Sequence, residues 1–128
     1  MRRLLVLSLF LLAPLVAHAQ SAPPRKFVVF FELWSANIDD SAKSVIAAAA
    51  EAARQDADAR VVVTGFADPA GSAQANLYLS LTRAQVVVDG LAQGGIKPER
   101  LRLSARGETE FTLSSQESRR VEISVGGL

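Results

Sequence analysis

Cysteine is absent from the 128-residue chain, and its one histidine, His18, stands near the N-terminus. A chain without cysteine has no disulfide to hold it, so an exported form depends on its apolar core alone. From residue 20 onward there is neither His nor Cys. Ser-His and Cys-His nucleophile pairs therefore cannot be assembled there, and zinc would have to be held by carboxylates alone. Acidic residues are plentiful, but no spacing singles out a general acid and base, so no catalytic residue, metal ligand or cofactor site is assigned. An excess of one charge is also lacking, since 14 Lys and Arg stand against 13 Asp and Glu. That balance argues against nucleic acid as a partner, which calls for Lys and Arg clustered on one face.

A long apolar span is missing as well. Arg2 and Arg3 precede an apolar run from Leu4 to Leu12, followed by Ala13-Pro14-Leu15-Val16 and Ala17-His18-Ala19. A basic start, a short greasy stretch and an A-x-A site predict a secretory signal peptide over residues 1–19, cleaved after Ala19. The run falls short of the roughly 20 residues that span a bilayer, and Pro14 interrupts it, so no transmembrane segment is expected in the mature chain. Bacterial lipoproteins carry their acyl chains on a cysteine at the cleavage site, so that anchor is not expected here. Cleavage removes Arg2 and Arg3, leaving 12 basic against 13 acidic residues. What remains fits one small domain.

Residues 20–26, with Pro23 and Pro24, read as a flexible leader, and the domain is expected over 27–126. Phe27 to Leu33 is a nearly continuous apolar run, which predicts a strand central in its sheet. Asn37-Ile38-Asp39-Asp40 supplies a turn and a cap, and Ser41 to Gln55 is an alanine-rich helix with Val45, Ala48, Ala49 and Ala52 on its apolar face. Arg60 to Phe66 is the clearest strand, by its β-branched centre. Asp68-Pro69-Ala70-Gly71 has the residues of a type I turn, and Ser72 caps a helix running to about Gln93. Leu77, Leu81, Ala84, Val88 and Leu91 form that helix's predicted buried stripe, and Gly94-Gly95 ends it. Leu101 to Ala105 and Val121 to Val125 alternate apolar and polar residues and complete the strands. The expected fold is α+β, a two-layer βαβαββ sandwich with both helices on one face of a four-stranded mixed sheet.

Four features in order resemble one known family, the OmpA C-terminal-like domain, a periplasmic module that anchors proteins to peptidoglycan. They are an apolar strand leading to Ser35-Ala36; Thr64-Gly65-Phe66-Ala67-Asp68 with Gly71-Ser72; Asn76, Leu79-Ser80 and Arg83-Ala84 at the family's spacing; and Arg119-Arg120-Val121-Glu122-Ile123 leading into the last strand. The resemblance covers about Phe27 to Val125. It implies noncovalent peptidoglycan binding in the periplasm, in association with the cell wall or outer membrane. The alternative is a module that keeps the fold but binds other envelope proteins.

In that family the ligand is diaminopimelate of the stem peptide, whose end carries an ammonium and a carboxylate on one carbon. Carried over by motif position, Asp68 accepts the ammonium, Arg83 grips the carboxylate with two-pronged bonds, and Asn76 points to the same mouth. Backbone donors at the helix start, around Ser72 and Ala73, are secondary contacts. So are Ala67, Leu77 and Trp34, and Arg119 and Arg120, one of which is expected to bond a loop carbonyl or Asp68. Residue by residue the plain readings are a turn residue for Asp68, a solvated helix position for Arg83 and a sheet-edge position for Ser80. This chain departs from the family at Trp34, where an acidic or amide residue is common, at Ala67, where Thr is frequent, and at Ser118, in place of asparagine. Its segment from Glu108 to Ser118 is also short.

Overall fold

A computed structural model describes residues 23–108 and 118–127. The expected signal peptide 1–19, the start of the leader and nearly all of the short 108–118 segment lie outside the described residues. Four strands and two helices follow in the order β1 (Arg25–Phe30), α1 (Asp40–Gln55), β2 (Val61–Ala67), α2 (Ala73–Gln93), β3 (Leu101–Glu108) and β4 (Arg120–Val125). The strands form one sheet ordered β1-β4-β2-β3, in which β2 and β3 run parallel and β4 is antiparallel to both β1 and β2. Among the described residues no helix is long and apolar enough to cross a membrane.

Both helices cover the same face of the sheet. Val29, Val61, Val63, Val121 and Ile123 point into the core, where they meet Ile46, Ala49 and Ala53 of α1 and Ala84, Val87 and Leu91 of α2. Local chemistry sets most of the boundaries. Asp39 caps α1, its carboxylate accepting the Ala42 N–H at 2.7 Å. Ser72 does the same for α2 through Ala75 N–H. Gly95, at φ 93°, closes α2 while the Ile96 N–H donates to the carbonyl of Leu91. A single 3₁₀ turn, Pro98–Arg100, which the sequence did not suggest, follows before β3.

Three expectations are corrected. β1 is an edge strand, not a central one, and it takes in Arg25 and Lys26 from the predicted leader while ending at Phe30. Its apolar run is continuous for a different reason: Val29 is buried under the helices, whereas Phe30 on the open face is 46% exposed and Leu33 lies beyond the strand at 52%. The inner places go to β2 and β4, and the alternation of β4 reflects one covered and one open face. On α1 the buried face is Ala42, Ile46, Ala49, Ala50, Ala52 and Ala53, with Ala48 outside it. On α2 Leu77 and Leu81 are exposed, and the inward face is Asn76, Ser80, Arg83, Ala84, Val87 and Leu91. Polar side chains at the first half of α2 find backbone partners, so the helix turns them inward. Ser80 donates to the Leu77 carbonyl at 2.8 Å and accepts the Gly107 N–H of β3 at 2.9 Å.

That contact needs α2 to lie against the sheet at backbone distance, which Gly65 permits. A Cβ at position 65 would overlap the carbonyl oxygen of Ser80. Gly65→Ala is therefore expected to cost about 3 kcal/mol by forcing the helix off the strand. Urea unfolding of the variant against wild type measures it, and a cost under about 1 kcal/mol would mean that α2 shifts freely.

Candidate functional site

The C-terminal end of β2 delivers Asp68 to the edge of the sheet, just before α2 begins. The carboxylate is almost covered. One oxygen accepts the Ala70 N–H at 3.2 Å, which bends the chain locally as an Asp at the start of a turn does. The other lies 3.2 Å from Nη1 of Arg119. Arg119 in turn donates from Nε to the carbonyl of Phe31 at 3.1 Å, and the Phe31 N–H returns a bond to the Arg119 carbonyl. The loop after β1 is thus tied to the start of β4 and, through Asp68, to the end of β2.

Arg83 lies beneath this pair with none of its surface exposed. Its Nε donates to the Ser35 carbonyl at 2.7 Å, Nη2 to the Glu32 carbonyl at 2.9 Å and Nη1 to the Phe66 carbonyl at 3.4 Å. The guanidinium carbon also stands 5.3 Å from the centre of the Phe31 ring. A guanidinium has five N–H donors, and these bonds engage three of them. Burial pushes its pKa down from the ordinary arginine range to about 10, the Arg119 cation acts the same way, and the Asp68 carboxylate opposes both. It remains a cation at neutral pH. Among the described residues, two cations and one anion sit together in this nearly dry corner.

The other predicted residues divide around this centre. Asn76 is buried and donates from its side chain to the Ala70 carbonyl at 2.9 Å, so it braces the loop that carries Asp68. Ser72 and Ala73 are exposed at the first turn of α2, and Ala67 is buried at the end of β2. Trp34 is 53% exposed and lies across Gly71, where a Cβ would meet the ring at 2.5 Å. Leu77 sits instead over Gly107 of β3. Arg120 bonds Glu122 at 3.0 Å and stacks 4.0 Å from the centre of the Phe66 ring. Ser118, the departure from asparagine, is fully buried. Among the described residues no group of side chains could hold a metal ion.

Sequence reasoning placed Asp68 and Arg83 in one region but missed that Arg83 is enclosed and spends its donors on the 32–35 and β2 backbones. The expectation that one of the paired arginines bonds a loop carbonyl or Asp68 is met by Arg119, which bonds both the Phe31 carbonyl and Asp68. The only available signal was the pair of arginines at the start of β4, whose alternation sends Arg119 and Arg120 to opposite sides. A surface concavity of about 710 Å³ lies between α1 and α2, lined in part by Ile46, Ala50, Val86 and Gly90. It shares no lining residue with the charge cluster.

Comparison with known proteins converges on one group. Residues 30–123 match a family model described as the OmpA family. Among solved structures, the peptidoglycan-associated lipoprotein of Burkholderia pseudomallei superposes with a TM-score of 0.71 at 19% identity, covering 77% of this chain and 89% of that one. The OmpA-like domain of FopA1 from Francisella tularensis gives 0.71 at 24% identity over 80% and 73%. The periplasmic domain of Helicobacter pylori MotB gives 0.68 at 22% identity over 84% and 78%.

Because Arg83 serves backbone carbonyls on two segments, its loss is expected to be structural before it is functional. Arg83→Met should lower stability by about 3 kcal/mol, since the carbonyls of Glu32 and Ser35 lose their buried donor. Equilibrium unfolding tests this, and a change below about 1 kcal/mol would show that water replaces the guanidinium at no cost.

Proposed function

The chain belongs to the OmpA family, and from that premise we propose that it binds peptidoglycan noncovalently in the periplasm, through the diaminopimelate end group of the stem peptide. The observation that carries the reading is the charge cluster itself. Asp68 is held by the Ala70 N–H and Arg119, close enough to a buried Arg83 for the three charges to act on one another. A ligand carrying an ammonium and a carboxylate on one carbon matches that arrangement. Its ammonium takes the Asp68 oxygen now held by Arg119, and its carboxylate approaches the two guanidinium groups. Arg83 has a donor left on each terminal nitrogen for this purpose, reached when the Asp68–Arg119 contact opens. Asn76 acts by fixing the Ala70 carbonyl and hence the loop. The first-turn N–H groups at Ser72 and Ala73 add to the field that attracts a carboxylate.

The relatives support the same reading by what they are called. One is a peptidoglycan-associated lipoprotein and another is a periplasmic domain. Binding rather than catalysis suits a chain whose residues after His18 include neither His nor Cys. Localisation in the periplasm agrees with the predicted signal peptide.

Sedimentation with purified diaminopimelate-type sacculi tests the proposal. Wild type is expected in the pellet, whereas Asp68→Asn, which keeps the shape and the bond from Ala70 N–H but loses the charge, is expected to bind at least about tenfold more weakly with its fold intact. Wild type left in the supernatant, or Asp68→Asn pelleting equally well, would refute the assignment.

A further inference from the structure

Trp34 is the chain's only tryptophan, and it is the only residue other than glycine at positive φ among the described residues, at 53°. The Ser35 N–H donates to the Glu32 carbonyl at 3.1 Å, so Glu32-Leu33-Trp34-Ser35 is a tight turn with Trp34 at its third position. Positive φ at that position alone is the signature of a type II turn, where glycine or asparagine is favoured and a bulky side chain is an outlier. The strain does not serve the core, because the indole is 53% exposed and Leu33 beside it 52%. Arg83 clamps the carbonyls on both sides of the turn's corner, at Glu32 and Ser35. The ring itself rests on Gly71, whose own φ of 89° and lack of a side chain make room for it. A strained, displayed aromatic held from two directions points to use at a surface.

We propose that Trp34 is a stacking platform for an amino-sugar ring of the glycan strand, so that the site reads sugar as well as stem peptide. The proposal rests on the peptidoglycan reading above. Gly71 is three residues from Asp68, at most about 11 Å along the chain. A stem peptide gripped at the free end of its diaminopimelate reaches its amino sugar through that side chain, two residues and a lactyl ether, roughly 15–20 Å when extended. A bent stem peptide therefore spans the separation. A tryptophan face is rigid, costs little conformational entropy to use, and offers apolar area of the size of one pyranose ring.

Calorimetry with two probes tests it, a disaccharide-tetrapeptide muropeptide and the same tetrapeptide without sugar. Wild type is expected to bind the muropeptide about tenfold more tightly, and only the muropeptide should shield the Trp34 fluorescence from acrylamide. Trp34→Gly, which suits the positive φ and should unfold at no lower temperature, is expected to lower muropeptide affinity about tenfold and peptide affinity by far less. Trp34→Phe should retain most of the gain. Equal affinity of wild type for both probes, or an equal loss for both in Trp34→Gly, would overturn the platform while leaving the peptidoglycan reading intact. So would fluorescence shielded by phosphatidylglycerol vesicles and not by the muropeptide. Failure of wild type to bind either probe would overturn both.

Discussion

A buried guanidinium with no exposed surface has to be satisfied from within, and Arg83 draws its partners from two separate parts of the chain. The carbonyls of Glu32 and Ser35 come from the turn after β1, and that of Phe66 from the end of β2. Desolvating a cation is expensive, so the geometry that compensates it is tightly constrained. Everything at this corner follows from that constraint. The turn bearing Trp34 is held against the body of the domain, Phe31 is placed beside the guanidinium, and Asp68 lies where its charge offsets part of the burial. Arg119 completes the set by tying Asp68 to the Phe31 carbonyl.

The same corner explains why α2 packs as it does. Its first half turns Asn76, Ser80 and Arg83 inward, each to backbone partners, while its second half buries Val87 and Leu91 in the ordinary way. A helix with a polar inner face needs close backbone approach to satisfy it, which is why Gly65 lies under Ser80. Leu77 and Leu81 are left outside as a consequence. On the proposed reading, stability and ligand binding are therefore concentrated in the same few residues, and removing Arg83 disturbs both at once. Asp68 is a cleaner probe, because its amide can replace it with little change in shape.

Features set by local chemistry were legible in the chain alone. Asp39 and Ser72 as caps, Gly94-Gly95 as a stop and the β-branched centre of β2 all specify themselves within a few residues. The two-layer arrangement followed from the order of these elements. What was not legible depends on partners distant in sequence. The place of β1 at the edge is fixed by its pairing with β4, some 95 residues away, and no local pattern encodes that. The inward face of α2 defeated a hydrophobic count because its first half is polar by design of the site. At the site, motif spacing located Asp68 and Arg83, but the closure of Arg83 and its sharing of backbone carbonyls required the folded chain.

The central claim is that the cluster recognises an ammonium and a carboxylate on one carbon. Titration of wild type with two stem peptides that differ only in carrying diaminopimelate or lysine tests it most directly, because lysine keeps the ammonium and lacks the terminal carboxylate. The account predicts that the diaminopimelate peptide binds at least about tenfold more tightly, the worth of one charge-assisted pair at roughly 1.4 kcal/mol or more. Equal affinity for the two peptides would contradict it.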